Sequence, residues 1–359
     1  MKTVTYILAP LLALSLASCK KKETPATQDV SKPEVLQSLS TNVINAAYTD
    51  LAGKASTLYD NVARFNSSMT TSNLDAARQA WRDVRTVYEQ TEGFLFGPMS
   101  TKDIDPRVDT WPIDFGRLDS VLASSSTPTP ITGSYVDGLE ESLKGFHPIE
   151  YFLFGSNGNK AIGDFTPRQQ EYLLALCDNL RDLCSQVKAA WDPASGNYTG
   201  TFLNPGPGNT TYGSQRAVFE EVINAMADIC DEVSGGKIKD PFDQKDPSLE
   251  ESPFSKNSLV DFTNNIKSVQ NMYLGKYTAD GMGLEDLIKS KNISMDGNIK
   301  TKINASITAL NNITVPFGQA ISDGAGGQRV QVQNAMNTIA DLQAYLSGDV
   351  KTYLQSITN

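Results

Sequence analysis

Residues 166–191, TPRQQEYLLALCDNLRDLCSQVKAAW, decide the fold class. Leu173, Leu176, Leu180, Leu183, Val187 and Trp191 follow one another at intervals of three and four, the spacing that lines one face of an α-helix. The start is marked as well. Thr166 precedes Pro167, a residue suited to the first helical position, and Gln169 stands where it completes a capping box.

The same rhythm recurs outward from this stretch. Leu74, Ala77, Trp81, Val84, Tyr88 and Leu95 form one stripe; Phe219, Val222, Met226, Ile229 and Val233 form another. Ile299 to Ile321 and Val332 to Leu354 carry two more. Weaker helical patterns cover Pro33 to Phe65, with Gly53 as an expected break, then Tyr135 to Phe154 and Ser258 to Leu274. Strand-like alternation is sustained nowhere, so the expected fold is all-α, with each apolar face buried against a partner helix in bundles. Gly324 to Gly327 should turn the chain between two antiparallel C-terminal helices. Asn197 to Gly213, with its prolines and glycines, reads as the domain boundary, and Gly235 to Pro253 as a second Pro-rich, charged stretch.

The N-terminus reads as an export signal. Met1-Lys2 is followed by an apolar stretch, Tyr6 to Ala17, too short to span a bilayer, and Leu16-Ala17-Ser18-Cys19 is similar to the sites at which bacteria cleave and attach lipid. The expected organisation is a signal peptide over 1–18 with lipidation at Cys19, a polar tether over 19–33, one helical bundle over 34–200 and a second over 201–359. This places the protein in the cell envelope, held by acyl chains to a membrane, the outer membrane of a Gram-negative bacterium. Lys and Arg number 31 against 41 Asp and Glu, a formal charge of −10, which argues against nucleic acid as a partner. Cys177 and Cys184 sit seven apart on one helix, roughly 10 Å from the helical rise, too far for a bridge. Either pairs with Cys230, or all three are small buried hydrophobes.

The chain has one histidine, His147, in Gly145-Phe146-His147-Pro148-Ile149-Glu150. His147 and Glu150 are three apart and would share a helix face, within reach of one ion. Glu89 and Glu92 in the stripe 74–95 could add oxygens, with Arg85 one turn before Glu89; Asp109 and Asp114 are further candidates. The last two lie in the long polar segment Gly97 to Gly133, where the Trp111 cluster should pack onto the body. A second reading needs no metal: Pro148 makes His147 a helix N-cap, with Glu150 folding back in a capping box, while Glu89 and Glu92 form a solvated face paired with Arg82 and Arg85. With one histidine there is no His-Glu-x-x-His run, and no Gly-x-Ser-x-Gly elbow, phosphate loop or Cys-x-x-Cys pair is present.

Gly145-x-His147-x-x-Glu150 in an all-helical, exported chain resembles the signature of the imelysin family. Trp81 to Pro98, Trp111-Pro112-Ile113-Asp114, Asn257 to Gly275 and Val315-Pro316-Phe317 are similar to further parts of it. The resemblance implies two packed helical bundles, with Gly145, His147 and Glu150 in a cleft near their interface. Family members were first described as metallopeptidases, and relatives are associated with bacterial iron uptake. The expectation is a binding protein that captures iron, another divalent metal or an iron chelate and passes it to iron-transport components. Its metal ligands are His147 and Glu150, joined by Glu92, Glu89 or Asp114, with Gly145, Arg85 and Trp111 in support. The alternative is a metal-dependent peptidase using the same His and Glu. Catalytic zinc takes three protein ligands and an open position, and the motif supplies two, which favours binding over catalysis.

Overall fold

The computed structural model describes residues 1, 30–322 and 326–358. The expected signal peptide, Cys19 and most of the tether lie outside them, as do Gly324 and Ala325 of the expected turn. Among the described residues there is no strand, and no helix is long and apolar enough to cross a membrane.

The principal helices are α1 (Ala46–Ser67), α2 (Thr71–Glu89), α3 (Phe146–Phe154), α4 (Pro167–Trp191), α5 (Gln215–Glu232), α6 (Ser258–Leu274), α7 (Ile293–Asn311) and α8 (Gln328–Tyr345). Helix α4 starts as its sequence implies: the Thr166 hydroxyl accepts from the Gln169 amide and the Gln169 side chain reaches back. Its stripe is fully buried, from Leu173 to Trp191. Helix α1 packs on α2 and α4, and α3 sits against α2 and α4. In the second group α5 packs on α6 and α8, and α7 on α6 and α8. Helices α7 and α8 run antiparallel: Lys302 pairs with Asp341, Ser306 Oγ donates to the Thr338 carbonyl at 3.2 Å, and Gln328 Oε1 accepts from the Thr314 amide at 2.9 Å.

The two groups meet along α2 and α6, which run parallel. Arg82 Nη1 donates to Asn257 Oδ1 at 3.0 Å, Arg85 Nε lies 3.9 Å from Asp261 Oδ1, and Asn265 Nδ2 donates to Glu89 Oε2 at 2.5 Å. Each step along α2 is matched by a step along α6, so a row of polar side chains is zipped into the middle of an otherwise apolar body. One apolar core runs continuously through both groups.

Several local expectations are corrected. Gly53 does not break its helix but sits inside α1, which continues back through a wide π turn, Leu39–Asn45, to Lys32–Ser38. Tyr135 to Phe154 is divided: Gly133–Asp137 and α3 are separate helices, because Gly145 turns the chain between them. The segment 97–133 holds short helices at Pro98–Thr101, Asp105–Asp109 and Phe115–Ala123. Asn197 to Gly213 buries more than its composition implies, since Phe202 and Tyr212 pack beside Trp191 and Tyr198. The 200/201 division falls inside the Tyr198–Leu203 helix, which leans on α4.

Cys177, Cys184 and Cys230 are all unbridged and buried, and burial pushes each thiol up, Cys184 to about 12. These three should resist a thiol reagent in the native protein and react together on denaturation, as mass spectrometry would show. A bridged pair, or native labelling of any of them, would contradict this arrangement.

Candidate metal centre at the junction of the two helix groups

Gly145 makes the site geometrically feasible. It precedes α3 with φ +85°, a conformation that disfavours side chains, and a Cβ there would lie 2.2 Å from the Val108 carbonyl oxygen. Only glycine lets the Asp105–Asp109 helix press against the start of α3. That close approach sets Asp109 beside His147, the second residue of α3. Pro148 follows in the first turn, where a missing N–H costs no intrahelical bond. The capping-box reading is therefore replaced: Gly145 holds the cap position, and Glu150 points away from the helix start, with Oε1 accepting from the Ser255 amide at 2.6 Å.

His147 is fully buried. Its ring centroid lies 4.9 Å from that of Trp111, and Nε2 lies 3.3 Å from Asp109 Oδ1 without hydrogen-bond geometry. Neither ring nitrogen has a hydrogen-bond partner, and Glu150 Oε2 and Ser255 Oγ beside it are also unpaired. Donor atoms of Asp109, His147 and Glu251 all fall within 4.8 Å of one another.

Two cations hold the surrounding carboxylates. Arg85, fully buried on α2, pairs with Asp109, with Glu251 Oε1 at 2.5 Å and with Glu89 Oε1 at 2.6 Å. Lys237 Nζ lies 3.1 Å from both Glu92 oxygens, 3.4 Å from Glu232 and 3.5 Å from Glu251. Burial disfavours charge on both bases, but the acids more than offset it and raise both well above their usual values. Six buried carboxyls (Glu89, Glu92, Asp109, Glu150, Glu251, Asp261) thus outnumber the two buried cations, Arg85 and Lys237, while half-buried Arg82 acts on Glu150 and Asp261 from the edge.

Desolvation by burial is the first influence on these acids. It pushes Glu92 and Asp261 well up, each reinforced by neighbouring Glu89, and it raises Glu150 to about 7 against the opposing pull of His147. Burial would raise Asp109 too, but Arg85 and then His147 outweigh it and hold that carboxyl below the usual range. The site is therefore short of positive charge, and its imidazole makes no hydrogen bond, with Nε2 facing Asp109 at 3.3 Å. These are the donors a divalent or trivalent cation takes, and they fit a metal of imidazole and carboxylate preference better than a thiolate-seeking one.

Residues 44–345 match the family model described as Imelysin. The chain belongs to the imelysin family. This imelysin is 31% identical over 263 residues to iron-regulated protein A of Synechococcus elongatus, a match covering 73% of this chain and 69% of that one. Its fold is similar to a crystal structure named as an iron-regulated protein A precursor from Parabacteroides distasonis, with a TM-score of 0.81, 24% identity, and 92% and 96% of the two chains covered. An imelysin-like protein from Psychrobacter arcticum superposes with a TM-score of 0.70 at 13% identity, covering 90% of this chain and 96% of the other.

In this imelysin the structure brings Gly145, His147, Glu150, Arg85, Glu89, Glu92 and Trp111 to one place. Glu89 and Glu92 are buried, not a solvated face. Glu92 is held by Lys237 and Asn265 rather than turned to His147. Asp114 is elsewhere: its side chain, 46% exposed, caps the Phe115–Ala123 helix by accepting from the Arg117 amide at 3.0 Å. It is corrected from a candidate ligand to a cap. Glu251, Lys237, Asp261 and Asn265 were not foreseen. For Asp261 and Asn265 the one available signal is the series Asn257, Asp261, Asn265 and Ser268, polar residues keeping a helical rhythm, and all four are buried.

Gly145→Ala should lower the melting temperature by several degrees, an effect of about 3 kcal/mol from the positive φ and the Val108 contact together. A melting curve matching wild type would refute the close approach. Glu150 gives a pH test. Because its folded value is raised above the ordinary 4.5, its contribution to stability is complete below pH 4.5 and is lost as pH rises through about 7. Melting temperatures taken in chelator from pH 4.5 to 7 should fall less steeply for Glu150→Gln than for wild type; equal slopes would show that Glu150 is not protonated in the fold.

Proposed function

We propose that this imelysin is a lipid-anchored envelope protein that binds a metal cation, iron foremost, in support of iron uptake. His147, Asp109 and Glu251 are the ligands, and Glu150 and the Arg85 network shape the site around them. One observation carries the reading: an imidazole that makes no hydrogen bond stands buried beside two carboxylates, its Nε2 3.3 Å from Asp109, inside a cluster in which acids outnumber bases. A buried polar atom without a partner costs free energy, and a cation both supplies that partner and offsets the surplus charge. Iron enters through the relative whose name describes it as regulated by iron, and through a donor set of hard oxygens and one imidazole.

A cavity of about 360 Å³ lined by Asp109, Trp111, Lys237 and Glu251 brings solvent to the two carboxylate donors, with His147 buried behind Asp109 and Trp111. Bound there, the metal would be cargo. Glu251 and Asp109 hold it only while still bonded to Arg85, which keeps their geometry but weakens their charge, an arrangement suited to reversible capture. A peptidase reading gains support from the same three donors, the number that a catalytic zinc takes.

The reading is tested by Fe(II) titration under anaerobic conditions, with total metal measured after purification. His147→Ala and Glu251→Gln should each weaken Fe(II) binding by roughly 100-fold. Unchanged affinity in both would overturn it. Hydrolysis of peptides by the wild type, lost with His147→Ala, would replace it by the peptidase reading.

A further inference from the structure

Resting on the metal-binding reading, we propose that Lys237 is a displaceable place-holder: its ammonium neutralises the carboxylates at the junction until an incoming metal cation expels it. The two buried cations differ in how they are held. Arg85 is clamped in the interior of α2 by a planar fork, with contacts to Asp109, Glu89 and Glu251. Lys237 is a compact charge on a flexible stem, spread over four carboxylates at 3.1 to 4.0 Å.

Its backbone differs too. Lys237 ends the wide π turn Val233–Lys237, directly after Gly235 and Gly236. A Cβ on Gly236 would meet nothing within 4 Å, so this turn has room to move, while buried Val233 and Ile238 anchor its two ends. Lys237 also stands between two cavities. It lines the 360 Å³ cavity with Asp109 and Glu251, while its partners Glu92 and Glu232 line a second, of about 600 Å³, whose wall carries no Lys or Arg.

Charge explains why exchange is favourable. An ammonium brings one positive charge to carboxyls that outnumber the bases around them; a divalent or trivalent ion beside Glu251 brings two or three and also supplies the His147 imidazole with a partner. Ammonium and metal cannot share Glu251 without repelling each other at close range. Glu232, with its side chain 54% exposed, can keep the expelled ammonium at the solvent edge.

Lysine acylation read by mass spectrometry on the wild-type chain is the direct test. Lys237, with its side chain 9% exposed, should label poorly without metal and several-fold faster on adding Fe(II), while the other lysines hold steady. Anaerobic Fe(II) titration adds the second arm. Lys237→Met should bind Fe(II) at least about tenfold more tightly than wild type, since the competing cation is gone, and Lys237→Arg should bind no more tightly. Unchanged labelling of Lys237, or Fe(II) affinity in Lys237→Met equal to or below wild type, overturns the place-holder while leaving metal binding intact. Loss of the metal site itself would show separately, as indifference of Fe(II) affinity to His147→Ala, and that result removes both.

Discussion

The rest of the structure depends on the burial of Arg85. A guanidinium with no solvent exposure is tolerable only if its charge is balanced, and here Asp109, Glu89 and Glu251 do this at Nη1 and Nη2 from three separate parts of the chain, while Nε lies 3.9 Å from Asp261. Those parts are the Asp105–Asp109 helix, α2 itself and the stretch before α6. The requirement therefore draws the two helix groups onto one point. Apolar packing alone would let α2 and α6 slide along each other, because one leucine fits a groove much as another does. Paired charges and amides at Arg82 and Asn257, Arg85 and Asp261, and Glu89 and Asn265 allow one register.

Such a network is costly to bury, and its imbalance is informative. A purely structural cluster would be expected to match acids with bases. Here the acids exceed the bases, Glu92, Glu150 and Asp261 retain protons more readily than usual, and the single imidazole makes no hydrogen bond. Protonation is how the metal-free protein tolerates the surplus, and a cation is the other way to offset it. The two states compete for the same oxygens. This links the unusual proton affinity of the site to its function through one cause, desolvation of too many carboxyls.

The all-α fold was legible because helical periodicity survives in α2, α4, α5, α7 and α8, and the start of α4 was legible to the residue from Thr166, Pro167 and Gln169. Gly53 misled because a single glycine inside a well-buried helix costs little compared with the packing on either side. The segment 97–133 looked like loop since its helices are shorter than the periodicity needs to declare itself. The centre was half legible. His147, Gly145, Arg85, Glu89, Glu92 and Asp109 lay in or near motifs, whereas Glu251 and Lys237 come from a Pro-rich stretch that reads as solvent-exposed, and only the tertiary fold reveals that it is turned inward. Asp114 misleads for the converse reason: an acid in the long polar segment reads as a candidate ligand, but its work is to cap a surface helix.

The central claim is that a guest cation completes the junction around His147. Crystals grown with Fe(II) and measured at the iron absorption edge test it most directly. The account predicts an anomalous peak between His147, Asp109 and Glu251, within coordination reach of all three. Iron found only on exposed surface carboxylates, with the junction free of anomalous signal and the imidazole bonded to water, would contradict it.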